Sequence, residues 1–131
     1  MRVGIDASNL RAGGGVTHIV ELLRHAEPSK HGITRVTIWS NAATRERIED
    51  RPWLDRVHEP MLDGSLLQRV LWQRTKLAKL ARASCDVLFA PGGSANETFH
   101  PSVTMSQNML PFDPIERARY GTSRMHARLL A

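Results

Sequence analysis

Strand-like and helix-like patterns alternate along this chain, and that alternation restricts the fold more than any other feature. Met1 to Ile5 reads as a short apolar strand, Val16 to His25 as an amphipathic helix, and Arg35 to Trp39 as a second strand. A short helix over Thr44 to Glu49 and a weak strand over Arg56 to His58 follow. Asp63 can cap a long helix running from about Ser65 to Ala83. Val87 to Ala90, "VLFA", has the composition of a buried strand, and Ser102 to Ser106 reads as another. Strands that alternate with helices join through right-handed crossovers, which implies a parallel sheet covered by helices on both faces. The 131 residues, 41% of them apolar, suffice for one domain with its own core, so residues 1–131 are read as a single unit.

In open parallel sheets, ligands bind beyond the carboxyl ends of the strands, where the strand order reverses. Three segments fall there: "NLRAGGG" after the first strand, "PGGSANE" after "VLFA", and "SQNMLPFD" after the last strand. Gly13, Gly14 and Gly15 lack a Cβ, so a bulky anion can approach their N–H groups at the positive end of the helix that starts at Val16. A tight strand-to-helix turn would also use them. The loop matches neither the P-loop, since it lacks the Lys and Ser/Thr, nor the dinucleotide fingerprint G-x-G-x-x-G.

Taken in order, "MRVGIDASNLRAGGGVTHIVELL", "DVLFAPGG" and "PSVTMSQNMLPFD" resemble the amino-terminal domain of the group 1 retaining glycosyltransferases of the GT-B fold. The resemblance covers nearly the whole chain. It implies a Rossmann-like three-layer α/β sandwich whose five parallel strands are ordered 3-2-1-4-5. It further implies a two-domain enzyme that moves a sugar from a nucleotide-sugar to a hydroxyl acceptor, whether glycan, lipid-linked or small molecule. This half would form the acceptor side, and a carboxy-terminal donor-binding domain, absent from these residues, would be its partner. On that reading Gly13, Gly14 and Gly15 face the donor phosphates, and Gly92, Gly93 and Ser94 line the acceptor cleft. Gln107 and Asn108 stand where many family members carry a His-Asp pair. Neither amide titrates near neutrality, so hydrogen bonding to a sugar hydroxyl suits them better than proton transfer. Asn108 could instead stabilise the turn before Pro111. The nucleotide-sugar would be a co-substrate of the complete enzyme, with no cofactor bound by this chain and no metal required.

Charge raises a rival reading. The chain has 18 Lys and Arg against 13 Asp and Glu, a net charge of +5 and an isoelectric point near 10.3, which suits nucleic acid, an anionic membrane or a phosphorylated small molecule. On a helical wheel of the long helix, Leu66, Val70, Leu77 and Ala81 share one face, with Leu67 and Ala78 beside it, while Arg69, Trp72, Lys76 and Lys79 fall opposite. A tryptophan among cations is expected either to cover its neighbours' stems or to enter a headgroup layer, making this face a membrane or partner surface. A non-catalytic binding domain using that face is therefore the alternative. Nucleic acid is not expected, because no strand carries the stacking aromatics that RNA-binding sheets use. The six histidines lack metal-ligand spacing, and no G-x-S-x-G is present. Cys85 stands alone before an apolar run, as a core residue in a reducing compartment would. With no secretory pattern at Met1 to Asp6 and no run of 18 apolar residues, the expected location is cytoplasmic, with a possible peripheral site at the inner face of the membrane.

Overall fold

The structure, a computed structural model, describes residues 1–91 and 99–105. It is an α/β sandwich around a five-stranded sheet, all parallel, in the order β3-β2-β1-β4-β5. The strands are β1 (Arg2–Asp6), β2 (Arg35–Ser40), β3 (Leu54–His58), β4 (Val87–Ala90) and β5 (Ser102–Thr104). The fold class and strand order expected from the sequence are those observed. The order follows from the crossovers: the chain moves outward from β1 to β2 and β3, then returns across the sheet to start again at β4.

Helix α1 (Gly14–His25) buries Val16, Ile19, Val20 and Leu23, at the i, i+3, i+4, i+7 spacing that points one stripe at the sheet. These four pack with Ile5, Val36, Ile38, Leu54 and Ile48 on one face of the sheet. Each fully buried aliphatic side chain contributes about 1.5–3 kcal/mol by leaving water. Helix α2 (Ala42–Arg47) is short and capped by Asn41, whose Oδ1 accepts the Thr44 N–H at 2.8 Å. On the opposite face, α3 (Leu66–Thr75) and α4 (Leu77–Ser84) cover Trp39 and Leu88 with Trp72, Leu77 and Ala81.

The region expected to be one helix from Ser65 to Ala83 is thus two helices that meet at Lys76. In an unbroken helix Lys76, four residues after buried Trp72 and seven after Arg69, would face the sheet. The break at Lys76 (φ −115°, ψ −33°) leaves that side chain exposed and lets Leu77 enter the core. Ser65 caps α3 by accepting the Gln68 N–H. Asp63 caps a different element: its Oδ1 accepts the Ala42 N–H at 2.8 Å, at the start of α2.

That break also corrects the expected membrane or partner face. Trp72 is fully buried at 0% exposure, Arg69 is half-buried, and only Lys76 and Lys79 are exposed. The four residues do not share an exposed surface. The wheel assigned the core face by leucine content, whereas the much larger apolar ring of Trp72 fixes the phase of α3 and leaves Leu66, Leu67 and Leu71 at 62%, 76% and 50% exposure. Among the described residues no helix is long and apolar enough to cross a membrane.

Candidate functional site

The carboxyl edge of β1 is where the strand order reverses, with β2 on one side and β4 on the other. There the chain leaves the sheet through Ala7 to Gly13 and enters α1. Its first half is pinned at successive points. The Ala7 N–H donates to Trp39 O at 3.1 Å, and the Leu10 N–H to Ala7 O at 3.1 Å. Leu10 O accepts from Thr44 Oγ1 at 3.0 Å, and Arg11 Nη2 donates to Gly64 O at 2.8 Å.

Asp6 anchors the start of this loop. It is buried, its Oδ1 accepts the Ser8 N–H at 2.9 Å, and its Oδ2 accepts from Gln73 Nε2 at 3.1 Å. The same Gln73 nitrogen donates to Ser8 Oγ at 2.6 Å. Burial pushes the Asp6 carboxyl above its ordinary range, and the hydrogen bonds from Ser8 and Gln73 oppose that shift without cancelling it. A carboxylate so enclosed positions the loop rather than touching a ligand. Gln73 lies on α3, which thus presents an amide to a loop that begins at the end of β1.

Beyond Arg11, Gly13 O accepts from Thr17 N at 3.2 Å and from Thr17 Oγ1 at 3.3 Å. Gly13 has φ +80°, a left-handed conformation that favours glycine. Among the described residues, a Cβ built on Gly13 or Gly14 would meet nothing within 4 Å, whereas one on Gly15 would lie 2.9 Å from Leu10 Cδ2. Gly15 therefore has a packing reason and Gly13 a backbone reason, but Gly14 has neither. The amino end of α1 has no side-chain cap and no acidic residue in its first turn. A rigid loop thus delivers an open, uncapped helix start to the edge of the sheet, where a group bearing negative charge gains both N–H donors and the helix dipole.

Beside this loop, Asp63 also pairs with His58. Its carboxyl is held below the usual carboxylate range first by the Ala42 N–H and then by His58, with the charge of Arg11 adding to both. Gly92, Gly93, Ser94, Gln107 and Asn108 lie outside the described residues. Asp6, Ser8, Arg11 and Gln73 were not singled out by sequence reasoning. Their one legible signal is a carboxylate closing an apolar strand, which calls for buried donors nearby.

A surface depression at the opposite, amino-terminal edge of the sheet is lined by Arg2, Arg35, Arg45, Asp55 and Arg56. Its cations are occupied: Arg2 pairs with Asp86 at 3.2 Å, Arg35 Nε donates to Asp55 Oδ2 at 2.7 Å, and Arg56 Nη1 donates to Ile48 O at 2.9 Å. Among the described residues no three His, Cys, Asp or Glu side chains come together as a metal site would need. Cys85 is buried, and burial pushes its thiol up, away from the reactive thiolate. Comparison of this chain with protein-family models, curated proteins and solved structures finds no match to any of them.

Proposed function

We propose that this domain is the acceptor-side half of a glycosyltransferase that moves a sugar from a nucleotide-sugar to a hydroxyl acceptor. The observation that carries the reading is the pinned loop from Asp6 to Arg11, which leads to Gly13 and Gly14, open on their Cβ sides among the described residues, at an uncapped helix start. A diphosphate leaving group needs that kind of support, because negative charge grows on it as the glycosidic bond breaks. Gly14 supplies one wall of the cleft, and a donor-binding domain supplies the other. The acceptor lies beyond the carboxyl ends of β1 and β4, and the amides of Gln107 and Asn108 hydrogen-bond to its hydroxyls. Retention of configuration and independence from metal come with the GT-B resemblance.

Gly14→Val in the two-domain enzyme tests the reading. Among the described residues nothing lies within 4 Å of the new Cβ, and φ at this position is not positive, so unfolding free energy should change by less than about 1 kcal/mol. The branched side chain fills the space over the N–H groups, so kcat/KM for sugar transfer should fall about tenfold or more, equivalent to about 1.4 kcal/mol. Denaturant titration and a transfer assay on one preparation separate the two effects. Unchanged transfer, or a loss of stability in step with activity, would leave Gly14 as a turn residue only.

A further inference from the structure

We infer that the outer face of α3 and α4 docks on an anionic bilayer, with the exposed leucines of α3 entering the headgroup layer and the cations beside them meeting lipid phosphates. The inference goes beyond sugar transfer and does not rest on it.

Trp72, Leu77 and Ala81 drive α3 and α4 into one cluster against the sheet, so the opposite sides of both helices form a common outer face. On α3 that side carries Leu67, Leu71 and Arg74, one ridge at the i, i+4, i+7 spacing, with Leu66 at its amino end. Leu66, Leu67 and Leu71 are three of the six large apolar side chains that the described residues leave exposed, the others being Met1, Leu22 and Val103. Single exposed leucines are ordinary, whereas half of the total on one ten-residue helix makes a patch. Where α3 gives way to α4, Arg74, Lys76 and Lys79 are exposed, and none of them has an ion-pair partner among the described residues. From Leu66 to Ser84 the chain carries five basic residues and no acidic one.

Charge decides what covers the ridge. A second copy docking through the same face would set like charges against each other. So would the chain beyond the described residues, where Arg117, Arg119, Arg124 and Arg128 outnumber Asp113 and Glu116. An anionic partner is complementary, and it is one without fixed register, because no acid on α3 or α4 supplies the mixed signs that align two proteins. A fluid layer of anionic headgroups over acyl chains answers both halves of the face: leucine tips reach the acyl boundary while the cations stay at the phosphates. Trp72 takes no part, since it is buried. Gln73, on the same helix, is tied to Asp6 and Ser8, so the bilayer docks beside the carboxyl edge of β1. Three leucines and three cations give weak, reversible, salt-sensitive attachment.

The test uses the purified chain and vesicles, with no nucleotide-sugar present. At low salt the chain should co-sediment with phosphatidylcholine vesicles that contain phosphatidylglycerol, and binding should be about tenfold or more weaker to phosphatidylcholine alone or at high salt. Leu67→Gln with Leu71→Gln, and separately Lys76→Gln with Lys79→Gln, should each weaken binding to anionic vesicles about tenfold or more. Lys30→Gln with Arg47→Gln removes the same charge outside α3 and α4 and should change binding less than about twofold. All six side chains are exposed, so the variants keep the fold, which denaturant midpoints verify. Leu67→Trp should add an indole that brominated acyl chains quench beyond the level of the parent chain. Absence of binding to anionic vesicles, binding that survives the leucine changes, no added quenching at position 67, or an equal loss in the Lys30 and Arg47 variant would overturn the docking face. Capture by soluble polyglutamate with vesicles ignored would overturn it as well, and would assign the face to an acidic protein. None of these readouts involves sugar transfer, so membrane docking and the glycosyltransferase reading stand or fall separately.

Discussion

Trp72→Ala should cost this domain about 3–5 kcal/mol, a large share of the 5–15 kcal/mol that stabilises a typical domain. The ring is 0% exposed and packs in a cluster with Trp39, Leu62, Leu77, Ala81, Cys85, Leu88 and Phe99. Truncation removes its transfer free energy and leaves a cavity between α3, α4 and the sheet that rigid strands cannot collapse to fill. Leu67→Gln, one turn away at 76% exposure, is the matched control and should change stability by no more than about 0.5 kcal/mol. Denaturant midpoints for both variants, at unchanged slope, check the pair. A loss below about 1 kcal/mol for Trp72→Ala would place the ring on the surface and restore the exposed basic face that the helical wheel suggested.

Gly4→Val should be comparably severe, for the opposite reason. A Cβ at Gly4 would lie 2.7 Å from Cys85 Sγ and 2.9 Å from Trp39 Cζ3. Gly4 sits mid-way along β1, paired with Thr37 of β2 and Leu88 of β4, so the backbone is held from both sides and cannot retreat. Overpacking costs about 1–3 kcal/mol for modest insertions, and three added carbons against an indole and a sulfur place this change at or beyond the upper end. With about 4 °C lost per kcal/mol, Tm should drop by roughly 12 °C or more. Gly4→Ala should be milder, and combining it with Cys85→Ala should recover part of the loss, because the closest atom is then gone. A double-mutant cycle measures that coupling, expected at about 0.5–3 kcal/mol. Strict additivity would mean that Cys85 and Gly4 do not touch.

The strand order was legible because it follows from crossovers, and crossovers follow from alternation, which survives errors of several residues at element ends. Strand β3 was read as Arg56 to His58 but begins at Leu54, and β1 extends through Asp6. Neither difference changes the topology. Phase within a helix is less tolerant. A single helix from Ser65 to Ala83 gave leucines the core face; the break at Lys76 and the bulk of Trp72 reversed it. Local pattern cannot register that break, because it arises from keeping a lysine out of a core that exists only once the sheet has formed. Asp63 shows the same limit, since it precedes α3 in sequence yet caps α2, 21 residues upstream, across the end of β3. At the candidate site the glycines were legible as an anion-friendly loop from their lack of side chains. The tie between Gln73 and Asp6 spans 67 positions and has no sequence period.

The central claim, that this domain is one wall of a sugar-transfer cleft, is tested most directly by a transfer assay on two samples. One is the purified chain alone, and the other is the same chain completed with a GT-B donor-binding domain. Each is given a panel of labelled nucleotide-sugars and phosphorylated and neutral hydroxyl acceptors. One wall cannot orient both reactants or stabilise the departing diphosphate, so the chain alone should show no transfer, and the completed enzyme should turn over at least one donor. Transfer by the chain alone, or a folded two-domain enzyme inert toward every donor and acceptor, would contradict the account.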